Sequence, residues 1–277
     1  MRIHYGFDIE IDVPQDVTIL TALDIEPARQ RDIVEASGLV ARSVVRTESY
    51  TDCFGNLRRR VCGLPGTISL SMNGVIADRG TPDPVVANAP EVPVPDLPTE
   101  TLPFLLASRY CEIEFLMNMA WAQFGGIVGG WAKVQAICDF VHGWLAFSYP
   151  NARATRTALE SYNERVGVCR DFAHLAIALC RCMNIPARYC TGYLGDIGVP
   201  PDPAPMDFSA WFEAYVGDRW YAFDARHNMP RIGRIVIARG RDAADVPILH
   251  TFGPHLLRRF EVKTREVPDQ TYEMAAE

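Results

Sequence analysis

Seven prolines fall between residues 81 and 103, in TPDPVVANAPEVPVPDLPTETLP, and they constrain the fold more than any other stretch. Each removes an amide donor and disfavours helix at the residue before it, so neither a long helix nor an interior strand crosses this segment. The 277-residue chain is therefore expected in two parts joined by an extended linker or strap. Residues 1–80 hold short alternating runs, IHYGFDIEIDV and GTISLSMNGVIAD, punctuated by PQD, DCFGN and GLPG. That pattern predicts an N-terminal β-rich, sandwich-like domain.

From residue 104 to 277 a second domain is expected. LLASRYCEIEFLMNMAWAQF and WAKVQAICDFVHGWLAF recur at three- and four-residue steps, with Gly125, Gly126, Gly129 and Gly130 between them. A third helix should begin near Gly167 and present Phe172, Leu175, Ala176, Leu179 and Met183 on one stripe before Pro186 stops it. Strand-like segments follow: ARYCTGYLG, FSAWFEAYV, RWYAFDA and GRIVIARG. Helices packed on an antiparallel sheet make this part α+β.

Composition narrows the partners. A net charge of −7 and a pI near 5.4 leave no basic stripe for nucleic acid or an anionic membrane surface, so neither partner is expected. The start, MRIHYGFDIEIDV, alternates like a strand and has no basic stretch followed by an apolar one, which predicts a cytoplasmic protein. The eight cysteines are then expected as reduced thiols, and without a CxxC pair no metal or other cofactor is expected.

Cys169 differs from the other cysteines in its placement. In NERVGVCRDFAHLAIALCRCMNIPARYCTGYL it falls at the first turn of a predicted helix, where unpaired amides and the positive dipole end favour thiolate and can hold an oxyanion. Cysteines in apolar helices are ordinarily core residues, so position alone leaves both readings open.

GVCRDFAHLAIALCR followed by NIPARYCTGYL resembles the nucleophile helix and next strand of bacterial transglutaminase-like proteins of the papain-like cysteine protease superfamily. DCFGN with its β-rich surroundings resembles their N-terminal domain, and AWFEAYVGDRWYAFDARHNMPRIGRIVIARGRDAADV resembles their C-terminal sheet. The resemblance implies a transglutaminase-like core and a Cys, His, Asp triad for acyl chemistry on a small-molecule or peptide amide. Cys169 stands at the nucleophile and Asp224 at the third member. The histidine expected before the Ala-Trp pair is replaced by Ser209, which cannot serve as a general base.

A two-residue turn at Gly217 and Asp218 pairs Val216 with Arg219 and, counting back, Trp211 with Asp224. Ser209 then lies on the same face, opposite Arg226 and diagonal to Asp224. His227 is the nearest substitute base. By strand parity it opposes Phe208 and faces away, unless the chain leaves the sheet before Pro230.

Trp211, Glu213 and Asn163 are candidate substrate contacts, each with a plainer alternative as core aromatic, ion-paired acid and helix-end residue. His174, about 140° around the helix from Cys169, is expected to be packed against the sheet or solvated. Arg231, Arg234, Arg239 and Arg241 with Asp242 and Asp245 form either an acid-binding patch or an internal salt network. The expected activity is amide hydrolysis through a Cys169 thioester rather than cross-linking. A binding module that has lost catalysis, or non-hydrolytic thiol chemistry on a small substrate, are the alternatives, and homo-oligomerisation stays open.

Overall fold

The computed structural model describes residues 1–203 and 206–268. The first part is all β: β1 (Arg2–Val13), β2 (Val17–Thr21), β3 (Ile33–Ala36), β4 (Val40–Arg42), β5 (Val44–Thr51), β6 (Leu57–Gly63) and β7 (Gly66–Ala77). After the proline-rich segment come α1 (Ile113–Phe124), α2 (Gly130–Trp144), β8 (Ala146–Phe147), α3 (Ala158–Glu164), β9 (Val166–Gly167) and α4 (Cys169–Cys182). The chain continues as β10 (Ala187–Tyr193), β11 (Ser209–Val216), β12 (Arg219–Phe223), β13 (Ile235–Gly240), β14 (Leu249–Phe252) and β15 (Leu256–Val267). The expected α+β architecture, with a β-rich first part, is what the chain adopts.

Among the described residues, three antiparallel sheets take up all of these strands except β8 and β9, which pair with each other in parallel. One runs β15-β1-β7-β3 with β4 also on β7, a second β14-β2-β6-β5, and a third β12-β11-β10-β13. The C-terminal strands thus return to the N-terminal part: β15 pairs with β1 from Arg2 opposite Val267 to Asp12 opposite Leu256, and β14 pairs with β2. This corrects the expected core span of 104–277, whose last described strands complete the first domain's sheets; residues 269–277 lie outside the described residues. The charge-rich LLRRFEVKTREV hides that role because little of it is apolar. Val262 and Thr264 are its buried residues.

The proline-rich segment is a strap rather than a free linker. Trp131 N–H donates to Ala89 O at 3.0 Å, Gly217 N–H to Pro90 O at 2.8 Å, and Lys133 pairs with Glu91. Gly130 is required at this crossing, since a Cβ there would stand 2.6 Å from Pro90 O.

At the centre lies α4, in which every residue from Asp171 to Cys182 is buried. It is therefore not a one-sided amphipathic helix but the axis on which α1, α2, α3, β10 and β11 pack. Two of its buried polar side chains, Arg181 and His174, bond to backbone groups of neighbouring segments, although His174 Nδ1 has no hydrogen-bond partner among the described residues. Arg181 gives its guanidinium to the carbonyls of Ala187, Leu106 and Arg241, and His174 Nε2 accepts Ala243 N–H at 3.1 Å. His174 stacks on Tyr110 with ring centroids 5.1 Å apart, so it is packed, not solvated.

Candidate active site

The start of α4 is built by GVCRD. Val168 is the extended cap residue and Cys169 the first helical position. Asp171 Oδ2 accepts Val168 N–H at 2.9 Å and Arg156 Nη1 at 3.1 Å, which ties the turn to α3's approach. Gly167 leaves room for this carboxylate; a Cβ there would come within 2.6 Å of Asp171 Cβ. At such a helix start the Cys169 amide has no helical acceptor and is free to donate elsewhere.

Cys169 opens into a cavity of about 70 Å³ that Ser209 and His227 also line, together with Tyr149, Asp207 and Arg226. Burial pushes the Cys169 thiol up to about 11, while the Arg226 charge and a backbone hydrogen bond from Ala210 pull it down and Asp207 and Asp224 push it up. At neutral pH such a thiol stays protonated unless a base takes the proton.

The hairpin keeps the counted register: Val216 faces Arg219 and Phe212 faces Phe223. It stops there. Asp224 turns the chain out of the sheet, its Oδ1 accepting the amides of Arg226 and His227, both at 3.0 Å, and its carbonyl accepting Asn228 N–H at 2.7 Å. Asn228 takes the left-handed conformation, φ 50°, that closes the turn. Hence Ser209 does not oppose Arg226, as continued pairing would require; its partner is Gly192 of β10.

The exit re-aims His227. Its Nδ1 meets Asp224 Oδ2 at 3.0 Å, so an Nδ1–H tautomer donates to the carboxylate and leaves Nε2 as the basic nitrogen. Burial opposes ionisation of Asp224, but Arg234 and the His227 side-chain and backbone contacts hold its carboxyl well below the usual range. His142 Nδ1 lies 2.9 Å from Arg226 O, and Asn228 Nδ2 donates to Asp139 at 2.8 Å, fastening the turn to α2.

Three expected substrate contacts do not reach the cavity. Trp211, 1% exposed, fills a pocket of core with Cys190 and Val236. Glu213 is locked between Arg188 at 2.6 Å and Arg239 at 2.9 Å; burial works against its charge, but the two arginines hold its carboxyl below the usual range. Asn163 is exposed on α3, outside the cavity lining. The arginine-rich segment is an internal network: Arg239 also meets Glu26 of the first part, and Arg241 binds Asp245 at 2.9 Å. Tyr149, Asp207 and Arg226 were not singled out from the sequence as site residues, because their placement depends on loops that carry no periodic signal.

The profile of the transglutaminase-like superfamily matches residues 125–225, a span that includes Cys169, Ser209 and Asp224 and ends before His227. A crystal structure from Cytophaga hutchinsonii, of a protein provisionally described as a cysteine protease, superposes with a TM-score of 0.83 at 33% identity, covering 96% of this chain and 90% of that one. An uncharacterised Mycobacterium leprae protein is 32% identical over 93 residues, 32% of this chain and 33% of its own. An uncharacterised Mycobacterium tuberculosis protein is 36% identical over 94 residues, 31% of this chain and 30% of its own. The match thus spans about a third of the length of these curated relatives. With the family profile over α4 and the β11–β12 hairpin, and a relative of the same fold along almost the whole chain, this protein belongs to the transglutaminase-like superfamily.

Proposed function

We propose that the protein is a cysteine-dependent amidase or peptidase whose general base has moved from the β11 position, now Ser209, to His227 in the turn after β12. The observation that carries this reading is the 3.0 Å contact between His227 Nδ1 and Asp224 in a histidine that lines the Cys169 cavity. His227 Nε2 takes the thiol proton as sulfur attacks the amide carbon, and Asp224 stabilises the imidazolium. The Cys169 amide is the natural donor to the tetrahedral oxyanion. When that intermediate collapses, the imidazolium returns the proton to the departing amine, and water activated by the same imidazole then hydrolyses the thioester.

Hydrolysis is favoured over cross-linking because the cavity beside Cys169 is small, about 70 Å³, and Asp196, Asp207, Arg226 and Arg231 are among the residues that line it. The substrate is then a small-molecule or short-peptide amide. The raised thiol favours one alternative, a binding module without turnover. Screening a library of peptide and amino-acid amides with wild type and Cys169→Ala separates the two. The proposal expects turnover that falls at least about 10³-fold in the variant; turnover equal in both proteins would refute it.

A further inference from the structure

Behind Asp224 lies a buried ion pair that the reaction above does not use. Arg234, 9% exposed, donates Nη2 to Asp224 Oδ2 at 3.0 Å and Nε to Asp83 Oδ2 at 2.8 Å, while its guanidinium lies 4.9 Å from the Trp211 ring centroid. Asp83 belongs to the strap. Its amide donates to Arg231 O and its Oδ2 accepts Arg231 N–H, both at 2.9 Å, so the strap cannot shift without moving this carboxylate.

Asp224 is thereby saturated. Oδ1 accepts the Arg226 and His227 amides, and Oδ2 accepts His227 Nδ1 and Arg234 Nη2, which occupies all four lone-pair sites of an ionised carboxylate. We infer that Arg234 and Asp83 are positioning residues for the thiol site, forming a row Asp83, Arg234, Asp224, His227 through which the strap sets the charge felt by the imidazole. This rests on His227 being the base.

The row has a signature that packing alone lacks. The Arg234 cation disfavours an imidazolium at His227, and Asp83 partly cancels that cation. Removing either charge should therefore shift His227 in opposite directions. Other charged or titratable groups face His227 from its surroundings: Arg226 and Arg231 flank it in the chain, and Asp207 stands before β11. Cys169 comes from α4, Tyr149 from the loop before α3, and Asp196 and Asp202 from the loop after β10. His142 of α2 touches the turn through its carbonyls. Cys169 is alanine in every protein compared, and the others are unchanged in the test.

The test follows ring protonation of His227 by NMR against pH in Cys169→Ala protein, where no reaction is needed. Asp83→Asn should lower the titration midpoint and Arg234→Gln should raise it, each by about half a pH unit, and Arg234→Lys should restore the direction of the wild type. Shifts of the same sign, or no shift, would overturn the inference. Should Arg234→Gln fail to fold, the downward shift in Asp83→Asn decides alone. A shifted midpoint with activity surviving loss of Cys169 would uphold the charge row and reject the catalytic reading.

Discussion

The strand β11 and the turn after β12 approach the same cavity, yet they do opposite work. β11 was the expected bearer of the base and of two substrate contacts, and it holds Ser209, a core tryptophan and a buried ion-paired glutamate. The turn reads as a simple exit from a hairpin, and it holds the histidine that Asp224 orients. A catalytic constellation is fixed by positions in space, so the chain can supply an imidazole from a different element, provided the acid that orients it is shared.

The first way to break this comparison is to exchange the two positions. His227→Gln should cost about 10²- to 10⁴-fold in amide turnover with little change in melting temperature, and adding Ser209→His should return about tenfold or more of the loss. A His227→Gln protein with wild-type turnover would remove the turn from the chemistry.

The second concerns β11 itself. Glu213→Gln removes the acid that Arg188 and Arg239 share and leaves Glu26 to answer Arg239 alone, so denaturant unfolding should show a loss of about 3 kcal/mol. If stability is unchanged, β11 is not the structural member described here.

The smallest effect sharpens the contrast between a histidine packed in the interior and one that lines the Cys169 cavity. Burial, with Arg170 and Arg181 nearby, holds the His174 ring well below its ordinary range, so the folded state binds fewer protons than the unfolded one. Its contribution is present above the unfolded value of about 6.5 and is lost as pH falls toward the folded one, at up to about 1.4 kcal/mol per pH unit. Equilibrium unfolding between pH 7 and 5 should show that slope in wild type and its absence in His174→Gln.

Much of this was legible in the sequence. GVCRD before an apolar run placed Cys169 at a helix start, where α4 begins, and Gly217 with Asp218 gave a hairpin register that holds to Phe223. The histidine's aim was not legible, because it depends on whether Asp224 continues the pleat or caps a turn with its own side chain. Nor was the role of the C-terminal strand, whose pairing with β1 lies at the far end of the chain. Arg234 stood out only as one arginine in a charged run; its link from Asp83 to Asp224 joins residues 151 and 10 positions away in sequence.

The most direct test of His227 as base is the rate of Cys169 alkylation by iodoacetamide against pH, read by peptide mass spectrometry in wild type and His227→Gln. A thiolate formed by transfer to His227 makes wild-type Cys169 reactive near pH 7, and the variant should lose that reactivity and respond only as pH rises toward the thiol's raised value of about 11. Superimposable rate profiles for the two proteins would contradict the account.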